Sequence, residues 1–408
     1  MATLRRVAVA LAAAVALGPV PGAQVAAPRV VAVGDVHGSL DGFLGVLRAA
    51  GLVDASGAWA GGTATLVQTG DVTDRGADVK GVLDLLRRLG PEAAAAGGRL
   101  VPVLGNHEAM NLVGELRDVT PAICAAFAGP GPAAQKARDD AWRQYERLVA
   151  RRTRERRGEQ PPGLARTKDG FMAAYPPGCL EYRQALGPDG DYGHWLRTLP
   201  IAVRIDRTVF MHAGAPPATT DSLDAINAQA RDEIARFDAL LARLTRAGLA
   251  APWFRLEDTL AVAAAEVRWV NARVAEAKTR GEAPDLRGVD VALIEAANAA
   301  LGLGDWSLLD GDGPLWYRGY ATADDAALDA PLSGLLGRWD ADRLVVAHSV
   351  TRDFRIRPRL DGRLFLIDTG MLAPVYKGHG SALELADGRA RALYADGRTD
   401  VLYPAAPR

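Results

Sequence analysis

The stretch from Arg29 to Leu40 reads RVVAVGDVHGSL. Val30 to Val33 make a short, uniformly apolar run, and Gly34 ends it. That is the pattern of a buried strand running into a tight turn. Asp35 and His37 follow at once, two residues apart. A strand that delivers a carboxylate and an imidazole to one spot implies that something at that spot uses both.

The pattern recurs downstream. ATLVQT leads to GDVTDRG and then to ADVKGVLDLLRRLG; RLVPVL leads to GNHE. Asp35 and Asp71 are 36 residues apart, and Asp71 and Asn106 are 35 apart, so each interval fits one βαβ unit. The fold class expected is therefore α/β. Ligands in open α/β sheets collect at the carboxyl ends of the strands, so the three polar turns should meet at one sheet edge. Strand-to-turn texture returns in RTVFMHAG, DRLVVAHSV and GRLFLIDTG. Between these runs, helical insertions are expected at about 109–195 and 216–305. The basic run in the first of them reads as a solvated helix face, with an anion-binding surface as the alternative.

The chain has 408 residues, a formal net charge of -1 and 24% charged residues. It is long enough for a sizeable core, its charge balance gives no support to nucleic-acid binding, and its composition is not that of a disordered protein. The first residues differ from the rest. MATLRR is followed by the apolar VAVALAAAVAL and then by small residues and prolines. This layout predicts a signal peptide over 1–27, a catalytic domain over 28–408, and a periplasmic or secreted protein without stable membrane association after cleavage. The apolar run is short for a membrane span; a buried N-terminal helix or an uncleaved anchor are the other readings. Cys124 and Cys179 are the two cysteines. An oxidising compartment permits a disulfide between them, and two unpaired buried thiols fit the sequence equally.

The polar residues at the strand ends form a constellation: Asp35, His37, Asp71, Asp74, Arg75, Asn106, His107, His212 and His348. Four of the six histidines in the chain are among them. Imidazole and carboxylate donors without a thiolate suit divalent first-row metals such as Mn, Fe, Zn, Ni or Co. Asp71 is placed to bridge two ions, with Asp35 and His37 completing one and Asn106, His212 and His348 the other.

GDVHG, GDVTDRG and GNHE, followed by MHAG and VVAHSV, resemble the signature motifs of the calcineurin-like metallophosphoesterases, in particular the phosphoprotein-phosphatase branch. GNHEAMNLVGELRDVT, PLWYRGY and LFLIDTG are most similar to the bacterial-type Shewanella-like phosphatases. HAG stands in place of the commoner HGG, and AHSV in place of GHT; both histidines survive these exchanges. The resemblance implies a four-layer α/β sandwich of two mixed β-sheets flanked by helices. It implies a dinuclear phosphomonoesterase, with a phosphorylated protein, peptide or small phosphoester as substrate. Phosphotyrosine and phosphoserine/threonine are both open. The attack would come in line from a metal-bridging hydroxide, without a phosphoenzyme. Arg75, with Arg318, Asn106 and His107, would hold the phosphate, and His107 would be the general acid, oriented by Asp74. Other readings are a helix N-cap for Asp74 and a structural ion pair for Arg318. Glu108 and Asn111 are expected to support the site, Asp368 and Thr369 to end a strand beside it, and His194 and His379 to be structural. A dinucleoside polyphosphate hydrolase and a non-catalytic metal-dependent binding protein are the competing functions.

Overall fold

A computed structural model describes residues 29–155 and 166–403. The expected signal peptide lies outside the described residues, as does the end of the basic run. Among the described residues, no helix is long and apolar enough to cross a membrane.

Among the described residues, eleven strands form two mixed sheets. The first comprises β1 (Val30–Val33), β2 (Thr65–Gln68), β3 (Arg99–Pro102), β9 (Ser381–Ala386), β10 (Arg389–Tyr394) and β11 (Thr399–Tyr403), in the order β11-β10-β9-β1-β2-β3. The second comprises β4 (Ala202–Ile205), β5 (Thr208–Met211), β6 (Arg343–Val346), β7 (Arg357–Arg359) and β8 (Leu364–Leu366), in the order β4-β5-β6-β8-β7. β1, β2 and β3 run parallel, as do β5, β6 and β8. The antiparallel strands lie toward the flanks of each sheet.

The period-two alternation of strand side chains separates two cores. Val30 and Ala32 of β1 and Val67 of β2 pack with Phe210, Val345 and Phe365 of the second sheet, filling the space between the sheets. Their neighbours Val31, Val33 and Leu66 face outward, into a core shared with Phe43, Val82 and Leu86 of the covering helices Leu40–Ala49 and Val79–Ala95. Each such fully buried side chain contributes about 1.5–3 kcal/mol relative to an exposed one. This is the helix–sheet–sheet–helix sandwich that the motifs imply.

The insertions add a third core. Helices Ala133–Glu155, Lys168–Ala174, Leu223–Arg246, Leu256–Arg280 and Val291–Leu301 pack around Tyr145, Phe171, Tyr175, Phe237, Leu244, Val262 and Leu293. Segments far apart in sequence thus share one helical body beside the sandwich. Cys124 and Cys179 form a disulfide across a separation of 55 residues, joining helix Pro121–Ala125 to the start of helix Cys179–Ala185.

Candidate metal centre

All six parallel strands deliver a polar residue at their carboxyl ends. Asp35 follows β1, Asp71 follows β2 and Asn106 follows β3; His212, His348 and Asp368 follow β5, β6 and β8. Each of these is buried. The two sheets therefore build one site together, along a shared edge. Asp35 makes the link directly, because its Oδ1 accepts the backbone N–H of His348 at 3.1 Å.

The turns that carry these residues are bent into uncommon conformations. His37, Asp71, Asp74, Arg75 and His348 all have positive φ, between 45° and 70°. Such backbones cost of order 1–3 kcal/mol each and persist only where the surroundings over-determine them. Here the surroundings are hydrogen bonds. The amides of Val36 and His37 both donate to Asp71 O, at 3.0 and 2.8 Å. Glu108 is buried, and its carboxylate accepts from the amides of Asp71, Val72, Thr73 and Gly105 and from the Thr73 hydroxyl, at 2.7–3.0 Å. One side chain thus clamps the second and third motif loops together. Gly105 is required at its position, because a Cβ there would collide with the Asp71 carboxylate and backbone N–H.

Asp71 lies at the centre. Its Oδ2 is 3.6 Å from His37 Nε2, 3.3 Å from His212 Nε2 and 3.9 Å from His107 Nε2. Two groups of potential ligand atoms share it, one with His37 and His107 and one with His212 and His348, and a third, of Asp74, His107 and Asp118, lies beside them. Asp35 lies at the edge of the first group, its Oδ2 3.9 Å from His37 Nε2. His37 Nδ1 donates to Thr73 O and His212 Nδ1 donates to Thr69 O, both at 2.9 Å. Those bonds fix the tautomers and turn the Nε2 lone pairs toward the centre.

The donors ask for positive charge. His212 Nε2 faces Asn106 Oδ1 at 2.8 Å, His348 Nδ1 at 3.0 Å and the Asp71 carboxylate. His348 Nε2 is buried with no hydrogen-bond partner. Burial opposes it, but the His212 and His107 imidazoles hold Asp71 well below the usual carboxylate range. Burial, the facing Asp368 and Asp71 push Asp35 well above that range. Burial drives His37 down to about 3 and Asp368 up to about 6. The imidazoles of His37 and His348, pushed toward the neutral form by burial, together with crowded carboxylates and no thiolate, fit divalent metal ions, and a carboxylate common to both groups fits a pair of them.

His107 stands slightly apart. Its Nδ1 donates to Asp74 Oδ2 at 2.7 Å, and its backbone N–H donates to Asp71 Oδ1 at 3.1 Å. Burial works against it, yet Asp71 and Asp74 raise the imidazole above its ordinary value. Asp74 is held in turn by the Asn111 amide at 2.9 Å, and Asn111 Oδ1 accepts the Tyr182 hydroxyl at 2.7 Å. Asp74 caps no helix, so the N-cap alternative does not hold. Arg75 is half-buried and donates to His37 Nε2 at 2.7 Å and to the Tyr376 hydroxyl. Arg318 donates to His348 O at 3.2 Å and to Ser349 Oγ at 3.0 Å, and among the described residues it makes no ion pair, the structural role offered as its alternative.

A model of the calcineurin-like phosphoesterase family matches residues 28–253, more than half of the chain. The chain belongs to the calcineurin-like phosphoesterase family. The family uses two divalent metals, and the paired groups around Asp71 fit that requirement. The chain is 46% identical over 92 residues to Shewanella-like protein phosphatase 2 of Arabidopsis thaliana, covering 22% of this chain and 24% of that protein. It is 27% identical over 372 residues to an uncharacterised protein of Schizosaccharomyces pombe, covering 89% and 79% of the two chains. The chain thus spans about a quarter of the length of the plant phosphatase it matches. The solved cold-active protein-tyrosine phosphatase of a psychrophilic Shewanella species has the same fold, with a TM-score of 0.55 at 23% identity over 92% of this chain and 80% of that one.

Three residues join the site that the motif reading left out or placed beside it. Asp368 faces Asp35 from the end of β8. Asp118 lies 3.9 Å from His107 Nδ1, and its carbonyl accepts the Arg75 amide at 3.0 Å. Tyr376 stacks on His37 at 5.7 Å between ring centres. The first two occur in quoted stretches, LFLIDTG and GELRDVT; nothing in the local pattern marks Tyr376. His194 is exposed and outside the centre, and His379 packs on Tyr394.

Proposed function

We propose that the protein is a dinuclear metal-dependent phosphomonoesterase acting on phosphorylated protein or peptide. The observation that carries this reading is the His107–Asp74 pair, hydrogen-bonded at 2.7 Å beside the Asp71-centred cluster of lone pairs. Asp35, His37, Asp71, Asn106, His212 and His348 would hold two divalent ions, which when bound would supply Lewis acidity toward the phosphoryl oxygens and the attacking water.

The chain's own residues supply the rest. Arg75 reaches the group that holds His37 and Arg318 the group that holds His348, through the His37 ring and the His348 backbone respectively. Guanidinium forks match phosphate oxygens in geometry and charge. Asp74 takes the Nδ1 proton of His107 in a hydrogen bond, which orients the ring and favours the imidazolium. Nε2–H is then free to protonate the leaving alkoxide or phenoxide. A thiol phosphoenzyme is not available, since the chain has two cysteines and both are in the disulfide.

The test is phosphate release from matched phosphotyrosine and phosphoserine peptides, with added Mn²⁺ and with chelator. Metal-dependent release from either peptide is the expected result, and the faster one names the preferred residue. No release from any phosphomonoester by protein with two metals bound would overturn the reading. We also propose that the protein is exported, on the strength of the N-terminal sequence and the disulfide, which forms and persists in oxidising compartments. N-terminal sequencing of the protein recovered from the periplasm or medium tests this.

A further inference from the structure

A cavity of about 780 Å³ opens beside the metal centre, on the side of His348. Its wall includes Arg318, Ser349, Thr351, Arg352, Arg357 and Arg359. The volume is in the range of sites that enclose a small ligand, roughly 300–1,000 Å³. Arg318 ties it to the centre, because the guanidinium that lines the cavity also donates to the carbonyl of His348. A phosphoryl group held by Arg318 would have the groups attached to it directed toward this space.

The cavity has a sign. Four arginines line it against two aspartates, Asp324 and Asp325. Arg359 is committed to Asp325 at 2.6 Å and to the carbonyls of Tyr320 and Ala323. Arg357 has a looser partner, Asp353 at 3.4 Å, with both side chains about half exposed. Among the described residues, Arg318 meets only neutral acceptors. Arg352 is exposed and makes no hydrogen bond or ion pair among the described residues. Guanidinium groups left without carboxylates beside an anion site are a ready partner for further anionic groups. None of the residues lining the cavity is aromatic, so it offers no ring on which a nucleobase would stack.

We propose that this cavity receives acidic side chains flanking the phosphorylated residue, with Arg352 and Arg357 as the specificity-determining contacts. The proposal rests on the phosphomonoesterase reading and narrows its substrate class to acidic phosphopeptides. An extended peptide advances about 3.3 Å per residue, so the first few neighbours of the phosphorylated residue are the ones within reach.

The experiment compares kcat/KM for phosphopeptides that differ only in having Asp, Ala or Lys at the flanking positions. The metal-loaded full chain and its Arg352→Glu and Arg352→Ala variants are used, with p-nitrophenyl phosphate as a substrate too small to reach Arg352. The wild type is expected to favour the Asp peptide over the Lys peptide by about tenfold or more at low salt, with the preference shrinking as salt is added. Arg352→Glu is expected to remove or invert the preference through KM, while p-nitrophenyl phosphate turnover stays within about twofold, since a rim charge acts on binding. Equal kcat/KM for the three peptides, or a preference that persists in Arg352→Glu, would overturn the proposal. Turnover of diadenosine tetraphosphate in preference to every peptide, lost in Arg352→Glu, would overturn it in favour of nucleotide phosphates. Absence of p-nitrophenyl phosphate turnover would remove the phosphomonoesterase reading itself, and this proposal with it.

Discussion

The strand-end loops and the helical body are built on different terms. In the loops, single atoms decide the geometry: Glu108 alone satisfies four amides and a hydroxyl, and five site residues sit at positive φ. In the helical body, the pattern decides it. Leu240, Leu241, Leu244 and Phe237 line the buried side of helix Leu223–Arg246, and aromatic neighbours such as Phe171 and Tyr175 fill the space between helices. Packing of that kind tolerates exchanges of similar volume, whereas a loop held by specific hydrogen bonds does not. The difference teaches where chemistry resides: in the region whose backbone would relax if its side chains were removed. The regions meet around helix Cys179–Ala185, whose Leu180 packs into the helical body while its Tyr182 and Arg183 bond Asn111, and at the backbone bond from Leu256 N–H to Gly114 O.

The sharpest way to break the comparison is at His107. His107→Asn should lower kcat by about 10²–10⁴-fold, the usual contribution of a positioned general acid, with the fold unchanged. Metal content decides the role. His107 shares a potential ligand group with His37 and Asp71, so loss of one ion in the variant would make it a ligand. Retention of both ions with loss of turnover makes it the acid.

The disulfide tests whether the helical body needs a covalent tie to the site. Replacing both cysteines by alanine should cost about 4 kcal/mol by chain entropy for a loop of this length, the separation being 55 residues. Thermal unfolding of the double variant, with kcat measured well below its midpoint, separates lost stability from lost geometry. The tie lies near the acid at both ends. Cys124 is followed back along the chain by Asp118, whose carbonyl accepts the Arg75 amide, and Cys179 is one helical turn before Tyr182. A fall in kcat at a temperature where the variant remains folded would show that the disulfide also positions the site.

Much of this was legible in the sequence, for a physical reason. Asp35, Asp71 and Asn106 follow short apolar runs at βαβ spacing, so the strands and the edge they share follow from the pattern itself. His212 and His348 end strands of a second sheet, and the same reasoning finds them. Contacts that depend on tertiary folding were not legible. Whether Cys124 meets Cys179 depends on how two short helices pack. That Asp368 faces Asp35 depends on the distance between two sheets, and Tyr376 arrives from a short helix, Ala373–Tyr376, with no local mark. The shared core of the insertions is hidden for a similar reason, since amphipathic helices show which side is buried and not against what.

Within the loops, Glu108→Gln is the most direct test that one carboxylate holds them. The amide nitrogen of Gln would be turned toward backbone N–H groups that now donate to Glu108, leaving donors facing donors in a buried site. The expected loss is about 3 kcal/mol, since breaking charge-assisted bonds and leaving buried groups unpaired both count. A lower urea midpoint at unchanged m-value measures it. Loss of metal should accompany it, because Asp71 sits on the loop that Glu108 clamps.

The smallest effect is the most informative about how the two regions communicate. Tyr182 lies in the wall of the main core, fully buried, on the helix whose Leu180 packs into the helical body, and its hydroxyl donates to Asn111 Oδ1 at 2.7 Å. Asn111 spends its amide hydrogens on Asp74 Oδ1 at 2.9 Å and on the carbonyl of His107 at 2.8 Å. Tyr182→Phe keeps the ring and removes only the bond that fixes the amide's orientation. About 1 kcal/mol of stability should be lost, the ordinary net worth of one buried hydrogen bond. If Asn111 depends on Tyr182 to stay aligned, Asp74 and His107 will wander and kcat will fall several-fold at unchanged KM. If the two donor bonds of Asn111 suffice, stability will fall alone. In that case the loops determine their own geometry, and the helical body merely encloses them.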